Sequence, residues 1–291
     1  MRKYNWEKGI SLSFFTDQEK VAHGLEEGVL KDVYSSGFRA VELSFSHDDY
    51  FKRFALHTEK GISECRSRIE NAGLRVWSLH LPFSEIWDLS NLKTASLHGL
   101  AIEDALKDDM LLVHACALLG GKIAVIHPSF EPIPGEERSL RIAAAKNNLR
   151  VLNEYAKEQG VELALENLPR TCLGNTSEEM LELLDATGAA FIFDTNHSLR
   201  EDNIHFLTEM INAGYCPVSL HISDYDFIDE RHEVPGKGVN KWGQLMDLLQ
   251  RAGYSGPAMY EIRHIVNENR VILLDEVAEN IDLLLDGKLS E

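Results

Sequence analysis

The 291-residue chain is 44% hydrophobic and 26% charged, a balance that suits a globular protein with a large core, and no apolar run approaches bilayer length. Its formal net charge of -18 argues against a surface coated in basic patches for nucleic acid, although a local basic groove is compatible with it. The start, MRKYNWEKGI, has no apolar signal segment, and Cys65, Cys116, Cys172 and Cys216 show no paired metal spacing, so reduced thiols in a cytoplasmic protein are expected.

Short β-rich runs alternate with helical patterns. GISLSFF (9–15) reads as the first strand and RAVELSF (39–45) as the second, with Gly37 ending the helix between them. RVWSLHLP (75–82) follows Gly73, and KIAVIHP (122–128) is the fourth strand. An amphipathic segment over 139–160 then carries Leu140, Ala144, Val151, Leu152 and Tyr155 near helical spacing and stops at Gly160. VELALEN (161–167) is the fifth strand. TSEEMLELLDATG (176–188) has Thr176 and Glu179 at capping-box spacing and closes on Gly188. AFIFDTN (190–196), VSLHISD (218–224) and PAMYEI (257–262) complete the set, and a last helix over 269–287 ends on Gly287.

The runs are nearly continuous in apolar residues, as in parallel strands covered on both faces. Eight strands alternating with helices in this length predict a single α/β domain over residues 1–291. The expected fold is a closed (β/α)₈ TIM barrel with its active site at the C-terminal strand ends. An open doubly wound sheet would more often show a Gly-rich phosphate loop after the first strand, and SLSFFTDQEK has none.

The strand ends repeat one chemistry. The second strand carries Glu42, and the following six end on or carry His80, His127, Glu166, Asp194, His221 and Glu261. On one barrel face such carboxylates repel each other unless a cation compensates. Glu166, Asp194, His221 and Glu261 come from four consecutive strands, so their side chains can meet. Three carboxylates with one imidazole suit a single Mn²⁺, Mg²⁺ or Co²⁺, and Zn²⁺ is also compatible. His197, three residues past Asp194, is placed to support that site or to hold a second metal. The loop DERHEVPGKG (229–238) could bring Glu230 and His232 to the same face. Glu42, Trp87, Arg170 and Lys237 are candidate substrate contacts. Trp87 and Trp242 either pack or wall a sugar pocket, and Arg170 and Lys237 either sit in solvent or clamp a phosphate.

LHLPF, VIHPS, LENLP, FDTNH, LHISDYD, ERHEVPGKG and YSGPAMYEI, in this order, resemble the xylose-isomerase-like TIM barrels over nearly the whole chain. That superfamily includes sugar isomerases and epimerases and the endonuclease IV enzymes. The tail ISDYDFIDERHEVPGKGVNKW looks like its sugar phosphate isomerase/epimerase group. The resemblance implies a divalent-metal-dependent isomerase or epimerase of a sugar or sugar phosphate, acting by proton transfer through a metal-stabilised enediolate. It implies one metal on Glu166, Asp194, His221 and Glu261, with Glu166 and Glu261 as the acid/base pair. Resemblance to the endonuclease IV branch implies instead two or three Zn²⁺ and phosphodiester cleavage at abasic sites. Those zinc ligands map onto His80, His127, Glu166, Asp194, His197, His221, Glu230, His232 and Glu261. Glu230 departs from that branch, which has Asp there, and the longer carboxylate would shift the third metal. A dehydratase built on the same enediolate logic is a third reading. The acidic balance favours the sugar branch, since SFSHDDYFKRF, with Lys52 and Arg53, is not an obviously basic DNA-facing loop. A small sugar is then the expected partner. A homo-oligomer is compatible, since barrel helices often pair, but no decisive apolar stripe marks an interface.

Overall fold

Strands without polar alternation are stable only where both faces are covered. In the computed structural model, which describes residues 2–16, 21–44, 55–91, 102–267 and 270–289, they are covered by barrel closure and a ring of helices. The end of the second expected strand, Phe45, and the loop with Lys52 and Arg53 lie outside the described residues. The strands are β1 (Lys8–Ser11), β2 (Ala40–Ser44), β3 (Arg75–His80), β4 (Ile123–Ile126), β5 (Glu162–Glu166), β6 (Ala190–Asp194), β7 (Ser219–His221) and β8 (Ala258–Tyr260). The helices are α1 (Glu27–Ser35), α2 (Glu59–Asn71), α3 (Ile102–Leu119), α4 (Arg138–Glu158), α5 (Ser177–Thr187), α6 (Asn203–Asn212), α7 (Trp242–Arg251) and α8 (Leu274–Asp286). The strands pair in parallel in the order β7-β6-β5-β4-β3-β2-β1-β8. Between β7 and β8 the ring closes through Ile222, whose N–H donates to Met259 O at 2.8 Å while Glu261 N donates to Ile222 O at 3.1 Å. The fold is the (β/α)₈ TIM barrel expected.

Side-chain alternation decides what faces the axis. Ala124, Ile126, Leu163, Leu165, Phe191 and Phe193 join the large core under the helices. Their neighbours Ile123, Val125, Ala164 and Ile192 form a separate buried cluster inside the barrel, with Trp77 against it. Two residues beyond Val125, Ala164 and Ile192, on the same inward side, stand His127, Glu166 and Asp194.

Three local features differ from sequence expectation. The first strand stops at Ser11, where a 3₁₀ turn over Leu12–Phe15 takes over and Thr16 N bonds Ser13 O at 3.1 Å. In α4 the buried stripe is Arg141, Ala145, Leu149, Leu152 and Ala156, and Leu140 is 58% exposed. Arg141 sets that phase, because it turns inward to Asp88 at 2.6 Å, which apolar periodicity does not register. At α5, Thr176 Oγ1 accepts from Glu179 N at 3.3 Å and Gly188 closes the helix at φ 64°, as expected. Glu179 does not return the capping bond. Its carboxylate instead accepts from Gly174 N at 2.7 Å and pairs with Arg138 at 2.7 Å.

All four cysteines are free, and among the described residues no helix is long and apolar enough to cross a membrane. The loop from Asp224 to Asn240 is pinned at its base. The Asp224 carboxylate accepts from Gly236 N at 2.8 Å, Asn240 N at 3.2 Å and Trp242 Nε1 at 3.0 Å. Gly238 passes so near that a Cβ there would lie 2.1 Å from the Tyr225 carbonyl oxygen. Gly238→Ala is therefore expected to cost about 1–3 kcal/mol, read as a lower urea midpoint at unchanged slope. A wild-type midpoint would show that the loop is not held in this way.

Candidate active site

The inward strand ends converge. His80, Glu166, Asp194 and His221 are the last residues of β3, β5, β6 and β7, while His127 and Glu261 directly follow β4 and β8. Glu166, Asp194, His221 and Glu261 each offer a ligand atom, all within 4.8 Å of one another. His221 Nδ1 lies 3.1 Å from Glu166 Oε1, 3.3 Å from Glu261 Oε2 and 3.8 Å from Asp194 Oδ2. Asn167 ties the two neighbouring strand ends together: it accepts from Asp194 N at 2.8 Å and donates to Asp194 O at 2.9 Å. Asp194 Oδ1 accepts from Asn196 N at 2.5 Å, but its buried Oδ2 has no hydrogen-bond partner.

The other face of His221 explains its orientation. Its Nε2 donates to Glu42, 3.0 and 3.1 Å from the two carboxylate oxygens, and Ser78 Oγ donates to Glu42 Oε2 at 2.7 Å. Glu42 and His221 are both fully buried, so Glu42 stands behind the imidazole and does not line the cleft. With Nε2–H committed there, Nδ1 faces three carboxylates. Only a proton or a metal cation makes that arrangement favourable. Without a metal, burial disfavours the imidazolium, but Glu261, Glu42 and Glu166 hold His221 protonated well above its usual range. Burial would likewise raise Glu166, yet His221 and the other histidines keep it well below the carboxylate norm. Asp194 is pushed up to about 7 by burial, against His197 and with Glu166 and Glu261. A divalent cation would relieve these costs together, and Asp194 Oδ2, which accepts no hydrogen bond, offers it a ligand atom. The donor set fits such an ion.

Two further groups surround this set. His80 Nδ1 donates to Leu81 O at 2.7 Å, leaving Nε2 3.2 Å from Glu166 Oε2, and His127 Nε2 lies 3.4 Å from the same oxygen. Glu166 is thus shared, with one oxygen toward His221 and the other toward His80 and His127. On the loop side, His197, Glu230 and His232 also offer ligand atoms within 4.8 Å of each other. His197 Nδ1 donates to Asn167 O at 2.9 Å, and its Nε2 lies 3.9 Å from Glu230. Asn196 Oδ1 accepts from Arg231 N and His232 N at 3.0 and 3.1 Å, which fixes the His232 backbone at φ 48°.

Above these groups lies a cleft of about 200 Å³. Phe83, Phe130, Leu168 and Pro169 supply its apolar wall, and the Phe83 ring stacks on His127 with centroids 4.4 Å apart. Arg170 lines the cleft, but its guanidinium is taken by Glu131, by Asp229 at 2.7 Å and by Glu230 at 2.9 Å. It braces one loop against the other. Trp87 sits in a 3₁₀ turn packed against the core, Trp242 is buried with its Nε1 on Asp224, and Lys237 is exposed on its loop; none of the three lines the cleft. Sequence reasoning missed Phe83, Phe130, Asn167, Asn196 and Arg263. A signal was present for all five, since each lies within three residues of a strand-end candidate.

Comparisons with known proteins bear on the family and the fold. The family model of the xylose isomerase-like TIM barrel matches residues 30–284. The chain is similar to an uncharacterised protein of Methanocaldococcus jannaschii, 27% identical over 197 residues, 64% of each chain. It is also similar to D-psicose 3-epimerase of Enterocloster bolteae, 30% identical over 150 residues, 50% of this chain and 47% of that one. The matched segments thus span less than two thirds of both relatives. Among solved structures, a D-tagatose 3-epimerase-like protein superposes with a TM-score of 0.76 at 19% identity, covering 97% of this chain and 96% of that one. An L-ribulose 3-epimerase gives 0.74 at 19% identity, covering 97% and 95%. At such identities the superpositions show a common fold.

Two outcomes follow from the site. Glu42→Gln keeps the shape but removes the carboxylate behind His221, so Mn²⁺ affinity measured by calorimetry should fall about 10–100-fold. Unchanged affinity would mean that Glu42 does not orient a ligand. Because the raised His221 holds a proton that a cation must displace, Mn²⁺ affinity should rise with pH and binding should release protons. Calorimetry in buffers of different ionisation enthalpy, at about pH 6 and about pH 8, reads both effects; no proton release would contradict this.

Proposed function

We propose, from the premise that this chain belongs to the xylose isomerase-like TIM barrel family, that it is a divalent-metal-dependent isomerase or epimerase acting on a small sugar or sugar phosphate. The observation that carries the reading is that Glu166 and Glu261, which line the cleft, meet the fully buried Asp194 and His221. The similarity to D-psicose 3-epimerase supports it.

When bound, the cation supplies Lewis-acid polarisation of a sugar carbonyl. The residues of the chain then have separable tasks. Glu166 and Glu261 reach the floor from β5 and from the end of β8, with the His221 imidazole between them. One carboxylate takes the proton from the carbon beside the carbonyl, and the other returns a proton to the opposite face or to the neighbouring carbon. Glu261 is the more accessible, with a side chain 17% exposed against 1% for Glu166. Oε2 of Glu166 contacts His80 and His127, which are placed to hold or pass a hydroxyl proton. Phe83 and Phe130 give the sugar apolar walls and exclude water from the carbanionic carbon.

A second reading has its own observation. The His197, Glu230 and His232 group, with Glu166 shared by His80 and His127, suits several zinc ions and phosphodiester hydrolysis. The net charge of -18 and the small cleft favour the sugar.

In D₂O with saturating Mn²⁺, the chain should exchange deuterium into the carbon beside the carbonyl of at least one free or phosphorylated ketose, followed by proton NMR. Glu261→Gln, measured at its own saturating Mn²⁺, should slow this by about 10²–10⁴-fold. No exchange across the ketose panel, together with cleavage of an abasic-site duplex, would establish the second reading instead.

A further inference from the structure

The cleft has two guanidinium groups among its lining residues, Arg170 and Arg263, beside the carboxylates of Glu131, Glu166, Glu230 and Glu261. Arg170 is spent, as its fork is filled by Glu131, Asp229 and Glu230. Arg263 is exposed, and among the described residues no carboxylate lies within ion-pair distance of it. This happens in a chain with 47 acidic residues against 29 basic ones, where acidic partners are abundant. A rim arginine kept clear of them is available to an outside anion.

Its direction is set by the backbone. Residues 261–263 continue beyond β8, and Ile262 is buried while Glu261 and Arg263 both line the cleft. The stem is anchored, because Arg263 N donates to His232 O at 2.9 Å. Two residues of chain separate the Glu261 and Arg263 Cα atoms by at most about 7 Å. A group held by Arg263 therefore lies about the length of a short sugar chain from the carbons that meet Glu261. A neutral sugar makes little use of a planar, doubly donating cation there. An oxyanion uses it fully, through paired charge-assisted hydrogen bonds. An anionic sugar entering an acidic cleft also needs positive charge at both ends, and the metal-ligating floor and Arg263 are arranged to provide it.

We infer that the sugar carries a terminal oxyanion, a phosphate or a carboxylate, and that Arg263 is the specificity-determining residue that binds it; the identity of the ligand as a sugar rests on the isomerase reading. The test uses unreactive probes on Mn²⁺-loaded protein: a hexitol, the same hexitol with a terminal phosphate, and a hexonate. Calorimetry should show one or both anionic probes binding about 10–100-fold more tightly than the hexitol, and the tighter one names the group. Arg263→Gln, with an unchanged melting temperature and metal content, should remove most of that preference, and Arg263→Lys should restore part of it. Equal affinity for hexitol and both anions, a preference that survives in Arg263→Gln, or no binding of any probe would each overturn the inference. None of the probes reacts, so failure of deuterium exchange on ketoses would count against the isomerase reading and leave this result standing.

Discussion

Buried Glu166, Asp194 and His221 meet half-buried Glu261, and carboxylates that close need a positive centre among them. Burial makes each anion costly, so the floor of this barrel is stable only when a proton or a cation is shared across it. The raised Asp194 and His221 and the lowered Glu166 are three expressions of that one demand. A divalent ion in place of the shared proton would satisfy the same demand and would make the floor a Lewis-acid site.

The surrounding structure serves that centre. Parallel strands fix inward positions by alternation, and the interior cluster of Ile123, Val125, Ala164 and Ile192 fills the space below. Glu42 and Ser78 hold the back of His221, Asn167 joins β5 to Asp194, and Asn196 holds the His232 backbone. Asp224 and Gly238 keep the long loop folded onto the mouth, and Arg170 ties that loop to the one after β5. The floor is built from strand ends and is rigid by construction. The rim is built from loops, and there substrate choice can be varied without disturbing the floor.

Much of this was legible in the chain. Eight apolar runs, seven of them closing on Asp, Glu or His or carrying one, point to the barrel and to Glu166, Asp194, His221 and Glu261 as a candidate ligand set, because strand alternation leaves a terminal polar residue few places to point. Thr176 and Gly188 marked both ends of α5 through local backbone chemistry. Other features depend on tertiary partners that no local pattern carries. Arg141 turns the α4 stripe inward only because Asp88 awaits it, and Leu140 is left outside. Glu42 sits in mid-strand, and its role behind His221 rests on a contact 179 residues away in sequence. Trp87 had the residue type for a sugar wall, but the loops after β3 and β4 bring Phe83 and Phe130 to the cleft. Arg170 is the sequence candidate for a phosphate clamp and Arg263 is not singled out, because only their neighbours in the fold separate a brace from a free cation.

The central claim is that one divalent cation belongs to Glu166, Asp194, His221 and Glu261. Elemental analysis of protein purified without chelator tests it, with Asp194→Asn and His127→Ala beside the wild type. The account predicts one tightly held Mn, Mg, Co or Zn per chain, lost in Asp194→Asn and retained in His127→Ala. Two or three zinc ions per chain, with one lost in His127→Ala, would contradict it and make His80 and His127 metal ligands in their own right.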